Sequence, residues 1–195
     1  MNKILLILVA AVVIAGLCFV SIKNKLVRMD QTVKSSWSQV ENVYQRRLDL
    51  IPNLVNTVKG YAAHEKDTLQ AVVEARAKAT QTNVSAGSAM NDPQSFQKFQ
   101  QTQGELSSAL SRLMVVVEKY PDLKANQNFL ELQSQLEGTE NRIAVERRNF
   151  TKAVQEYNET VGSFPDSIVA SMSGFQPKPY FQADAGANKA PKVKF

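Results

Sequence analysis

Acid–base and metal chemistry need convergent His, Cys, Asp or Glu side chains, and this chain offers few. His64 is the only histidine, and its run HEKDT lacks the second histidine of an HExxH zinc helix. Glu65 follows it, but a zinc site or catalytic dyad would need further ligands or a base that the chain hardly offers, so His64 is expected as a polar side chain on a helix surface or in a bundle hydrogen bond. No glycine-rich phosphate loop, cysteine cluster or nucleophile elbow occurs. Eight glycines, one of them among the apolar N-terminal residues, leave little to shape a nucleotide pocket. The expectation is therefore no catalytic residue, no metal, no cofactor, no evident small-molecule substrate, and no enzyme.

A second set of polar residues could do structural chemistry. Glu140, Asn141, Arg142 and Arg147 lie on or beside a Leu136–Ile143–Phe150 seam, with Glu140 and Arg147 seven residues apart on one helix side. The simplest account is that these side chains reach from the seam edge to water while their stems cover apolar surface. The alternative is a partly buried network with Arg46, Arg47, Asp49 or Arg76 of the first helix, which would fix helix register more than it adds stability. At the other extreme of the chain, Lys23, Lys25 and Arg28 stand where anionic headgroups would meet them if the preceding residues cross a bilayer. The C-terminal Val193-Lys194-Phe195 places apolar side chains at the terminus and two before it, as strand-addition peptide grooves read them; the plainer reading is the end of a soluble tail.

The elements that must carry these groups begin with an anchor. Ile4 to Ile22 contains no charge, and nineteen helical residues cover roughly the 30 Å of a hydrocarbon core. A cleaved signal peptide, releasing a periplasmic domain, is the competing reading. The run exceeds a usual h-region, however, and ends in basic residues, so a retained single-pass span is expected. Cys18 is the only cysteine, so the soluble part forms no disulfide, and the compartment cannot be inferred from redox chemistry. Lys3 and the terminal amine precede the span, while Lys23, Lys25 and Arg28 follow it, which favours a cytoplasmic C-terminal side. The net charge of +5 is spread along the chain and argues against a nucleic-acid binder.

Beyond the anchor, Val33, Trp37, Val40, Tyr44, Leu48, Ile51, Val55, Val58 and Ala62 trace one helical face. Pro52 removes a backbone bond, but the stripe keeps phase across it, so one kinked helix is expected rather than a hairpin there; a split into two would give four helices. The stripe resumes with Leu69, Val72 and Ala79, and Gln81 to Asp92 reads as a loop. Asp92-Pro93 starts a helix whose face runs Phe96, Phe99, Gln103, Leu106, Leu110, Leu113, Val117 and Tyr120, with one polar intruder, and which stops at Pro121. The next helix begins between Asp122 and Asn128. Its Phe129, Leu136, Ile143, Phe150, Tyr157 and Phe164 fall seven apart, a coiled-coil-like seam closed by Gly162 and Pro165. Single amphipathic helices are marginal in water, so these should pack as an antiparallel bundle. The expected fold is all-α, with three parts: residues 1–28 as transmembrane anchor and basic flank, 29–174 as a bundle of three to four long helices, and 175–195 as an extended or disordered tail.

The run RRLDLIPNLVNTVKGYAAHEK from Arg46 to Lys66 resembles the signature of the LemA family of bacterial membrane proteins. Arg76 in EARAKA, the stretch from Asn126 to Phe150, YNETVGSFP from Tyr157 to Pro165, and Tyr180-Phe181 are similar to the family's later blocks. The resemblance implies an N-terminal transmembrane helix in the bacterial inner membrane and a helical bundle often placed in the cytoplasm. It also implies association of some relatives with internal membrane organelles such as magnetosomes, and it supplies no catalytic residues to carry over. Together these readings lead to a membrane-anchored helical scaffold, possible partners being the lipid bilayer and other proteins or copies of itself. The rival is a membrane-tethered enzyme, which would need Glu, Arg and His64 to converge between helices.

Overall fold

The computed structural model describes residues 2–83, 90 and 92–181, most of which are helical, with no strand among them. Helix α1 runs Asn2–Tyr61, α2 Lys66–Asn83, α3 Pro93–Val117, α4 Pro121–Lys124, α5 Gln127–Gly162 and α6 Asp166–Ser173. At 60 residues α1 is about 90 Å long and continues through Pro52 without interruption. The chain does reverse, but ten residues later, at a turn over Ala62–Glu65 in which Glu65 N–H donates to Ala62 C=O. The stripe Leu69–Val72–Ala79 therefore belongs to a separate helix. Helix α2 also extends to Asn83, into the segment expected as loop; residues 84–89 and 91 lie outside the described residues.

The direction of each helix follows from contacts between distant residues. Arg76 Nε donates to Leu48 C=O, so α2 returns along α1. Thr82 meets Thr102, and Tyr120 Oη donates to Glu65, so α3 is antiparallel to α2. Asn126 meets Tyr61 at one end of the bundle and Lys25 meets Asp166 at the other, so α5 is antiparallel to α1. The result is a four-helix bundle in up-down-up-down order, with α1 and α5 in close contact, α2 on α3, and a cleft between α3 and α5.

Local signals explain the boundaries. Asp92 accepts from the amides of Gln94 and Ser95 at 3.2 and 3.0 Å, with Pro93 in the first helical position. Asn126 caps α5 through the amide of Phe129. The seam on α5 buries Phe129, Leu136, Ile143, Phe150 and Tyr157. Phe164 departs from it: the helix ends at Gly162, Ser163 is extended, and the Phe164 ring is 83 % exposed. On α1 the predicted stripe is buried except at Val55, where the wholly buried Leu54 takes the inward position. The core also reaches further toward the N-terminus than the sequence indicates, with Leu26 buried and Phe19, Ile22 and Met29 packed against it.

Candidate functional site

The core falls into two apolar halves. One contains Leu26 to Tyr44 of α1 with Phe96 and Phe99 of α3 and Ile143 to Val161 of α5. The other contains Leu48 to Ala62 with Leu106 to Val117 and Phe129 to Leu136. Between them lies a polar layer with one residue from each of three helices: Arg47, Gln103 and Glu140.

Arg47 is 1 % exposed, so its guanidinium depends on partners for solvation. Nη1 donates to Glu140 Oε1 at 2.7 Å and to Ser107 Oγ at 2.9 Å, Nη2 donates to Gln103 Oε1, and the guanidinium lies 5.0 Å from the centre of the Tyr44 ring. Glu140 is at the rim, with its side chain 45 % exposed, so one end of the ion pair is buried and the other is wet. The layer borders a cavity of about 380 Å³ between α3 and α5, lined by Tyr44, Arg47, Gln103, Ser107, Glu140 and Arg147. Sliding α5 by one helical turn either way would set Leu136 or Ile143 against the guanidinium, which an ion cannot tolerate without water.

The other residues singled out in the sequence are dispersed. Arg76 binds a carbonyl of α1 and not Glu140; Arg46, Asn141 and Arg142 are exposed; Asp49 accepts from Gln45 one turn away. Arg147 lies 4.5 Å above the Phe181 ring. His64 is exposed in the turn after α1 and does not meet the polar layer. Among the described residues no three potential metal ligands converge. Lys23 and Arg28 are exposed, Lys25 pairs with Asp166 at 2.8 Å, and Val193 and Phe195 lie outside the described residues. Gln103 was not singled out for the network, although its signal was present as the lone polar residue in the α3 stripe.

A double-mutant cycle tests the layer. Arg47→Met with Glu140→Gln is expected to show a coupling of about 1–2 kcal/mol, reduced from a fully buried pair because Glu140 reaches water. Arg46 and Arg76, which do not touch Glu140, are expected to show none. Equal coupling to all three arginines in urea titrations of the full chain would remove the contact as the cause.

A second polar site holds residues 175–181 to the bundle. Asn158 clamps the backbone of Lys178, accepting from its N–H at 2.8 Å and donating to its C=O at 2.9 Å, while Tyr157 Oη donates to Gln176 C=O. The Lys178 ammonium, on a side chain 6 % exposed, reaches Asp30 of α1 at 2.9 Å. Three residues on, the Phe181 ring joins Trp37, Phe96 and Phe150. This strap links α1 and α5 at the end of the bundle nearer the anchor.

The anchor itself projects from the bundle. Ile4 to Val20 form the start of α1 with their large apolar side chains mostly exposed, and none of the residues in the apolar window is buried in the molecule.

The chain is 26 % identical over 174 residues to magnetosome proteins MamQ 1 and MamQ 2 of Paramagnetospirillum magneticum, which covers 82 % of this chain and 64 % of theirs. It is 23 % identical over 165 residues to protein LemA of Metamycoplasma hominis, covering 85 % of this chain and 71 % of that one. The chain thus spans somewhat less than two thirds of the length of the magnetosome relatives. The LemA family model matches residues 36–195, which takes in the polar layer, the strap and every helix after α1, and the chain belongs to the LemA family.

Proposed function

We propose that this chain is a membrane-anchored scaffold that acts by binding rather than by catalysis. It presents bundle faces and its C-terminal tail to other proteins or to copies of itself. The observation that carries this is the continuity of α1: one helix runs from an exposed apolar segment into the centre of the bundle, where it buries Leu26 through Val58. A flexible linker would let the bundle reorient freely, whereas a continuous helix fixes its presentation relative to the membrane. The kinship with proteins described as magnetosome proteins supports a role in membrane organisation. The basic residues Lys23, Lys25 and Arg28 support a bundle on the cytoplasmic face of the bacterial inner membrane.

The full chain is expected to stay with membranes through a carbonate wash, while a chain beginning at Asn24, which keeps Leu26, is expected to be soluble and helical. Full-length protein recovered in the wash would overturn the anchor. Proximity labelling from the bundle, with and without residues 182–195, then reads the partner role; a labelled set no different from that of an unrelated anchored protein would overturn the scaffold.

The cavity beside the polar layer favours a second reading, a membrane-tethered enzyme with a polar site between helices, because Arg47 Nε and Gln103 Nε2 are buried there without a hydrogen-bond partner. Glu140→Gln keeps the shape of the cavity and removes its carboxylate. It is expected to leave the labelled set unchanged if the protein is a scaffold.

A further inference from the structure

We propose that Phe164, Ile168 and Met172 form a second membrane contact, entering the boundary between headgroups and acyl chains so that the bundle rests on the bilayer as well as hanging from its anchor. This rests on the anchor reading above.

All three side chains are large and unpartnered, with exposures of 83, 53 and 74 %. Ile168 and Met172 are one turn apart on α6 and share a face of it, and Phe164 stands two residues before its first residue. The opposite side of α6 is satisfied, since Val169 and Ala170 are buried in the core half that contains Leu26. The exposed face is therefore an unpaired apolar face of a docked element.

Its place in the fold identifies the occupant. Helix α5 runs antiparallel to α1, so its end at Gly162 is the part of the bundle that points back toward the anchor. The chain returns after Gly174, whose left-handed φ of 76° closes α6, and passes Asp30 at Lys178 and Trp37 at Phe181. Residues 163–174 are thus the crest of a loop over the anchor end. The crest reaches the level of the membrane: the first residue of α6, Asp166, pairs with Lys25, three residues beyond the apolar run. Phe19 and Ile22 lie inside that run, yet they pack against the same core half. If Ile4 to Ile22 fills the hydrocarbon, the structure touching Phe19 and Ile22 stands at its edge.

The charge pattern agrees. From Phe164 to Gln176 the sequence FPDSIVASMSGFQ contains one charged residue, Asp166, and its pairing with Lys25 offsets a carboxylate that anionic headgroups would repel. Lys23 and Arg28 remain exposed nearby. An apolar face beside a basic rim is the composition of a helix that lies in the interface.

The test places an environment-sensitive fluorophore at Met172→Cys in a Cys18→Ser background of the full chain, with Ala63→Cys at the distal turn as control. Both positions are exposed, so labelling leaves the core intact. The protein is reconstituted in phosphatidylethanolamine–phosphatidylglycerol vesicles and first floated on a density gradient. Emission at position 172 is expected to be blue-shifted, to lose most of its intensity when the acyl chains are brominated near the headgroup, and to resist iodide present on both sides; position 63 should behave conversely. Failure to float would overturn the anchor reading and this inference together. Flotation with position 172 as open to iodide as position 63 would overturn this inference alone. Shielding from both quenchers, with cysteine cross-links between copies at position 172, would also overturn it and make the patch a self-association surface.

Discussion

Replacing Trp37 by alanine is expected to cost about 3–5 kcal/mol, the range for removing a large buried aromatic side chain. The ring is buried and stands within 5.1–6.1 Å of the centres of Phe96, Phe99, Phe150 and Phe181, which come from α3, α5 and the strap. Its loss opens a cavity that no single helix can close, because the four neighbours are held on three different elements. It also removes the donor at 2.9 Å from Glu41, a carboxyl that burial already pushes up despite that hydrogen bond. Against a total stability of about 5–15 kcal/mol this is a large fraction, and for a chain of this size it corresponds to roughly 10 °C in melting temperature. Trp37→Phe should cost much less because it keeps most of the aromatic contact. Val115→Ala, at an exposed site on α3, should change stability by no more than about 0.5 kcal/mol. Circular dichroism melts of the full chain in nanodiscs read all three. Equal, small shifts for Trp37→Ala and Val115→Ala would show that the aromatic cluster does not hold the bundle together.

The helical faces were legible because burial of one side of a helix leaves a period of 3.6 in the sequence, and Trp37, Leu106 and Phe150 all sit on such faces. The turn at Ala62–Glu65 left little trace: neither proline nor glycine occupies it, and the apolar spacing from Ala62 to Leu69 looks the same whether the chain continues or reverses. Pro165 was ambiguous in the opposite way. It closes α5, as read, but Asp166 follows it and Gly174 stops the next segment, so the same residue also opens α6. A boundary residue marks where a helix cannot continue without showing that another begins.

The polar sites were legible only in part, since an ion pair between elements has no period. Glu140 is marked by its place beside the α5 seam and Gln103 by its place in the α3 stripe, whereas nothing in the sequence separates Arg47 from Arg46, Asp49 and Arg76 as the partner. Lys178 and Asp30 carry no comparable mark. They are 148 positions apart, and either would pass for a solvated surface charge until the fold places them together. Proline on both sides of Lys178 indicated extended backbone, not that the segment would be docked.

Asp30→Asn is expected to destabilise the strap by about 3 kcal/mol, at the low end of the range for breaking a buried pair, and to cost more than Lys178→Met. The asymmetry comes from what each change leaves behind. Lys178→Met removes the buried ammonium, keeps most of its volume over the Tyr157 ring, and leaves Asp30 paired with Lys34 at 2.8 Å. Asp30→Asn leaves an ammonium on a side chain only 6 % exposed and takes away the carboxylate it meets at 2.9 Å. The pH dependence provides an independent check. Burial alone would raise the Asp30 carboxyl, but its bonds to Lys34 and Lys178 outweigh burial and hold it below the usual aspartate range. A lowered folded value stabilises above the unfolded value of about 4, and that stabilisation is lost as pH falls through the folded value. Asp30→Asn should therefore weaken the acid limb of the stability profile. At the alkaline end, burial first and the Asp30 charge second push the Tyr157 phenol up to about 12. Because the folded value is raised, its stabilisation is complete below the unfolded value of about 10 and is lost between there and about 12. Removing the Asp30 charge should bring the Tyr157 phenol downward, read as ultraviolet absorbance of tyrosinate against a Tyr157→Phe control. Trp37 emission should change in the same variant, because the strap places Phe181 against its ring. An unchanged phenol titration with unchanged Trp37 emission would show that residues 175–181 are not held to the bundle through Asp30.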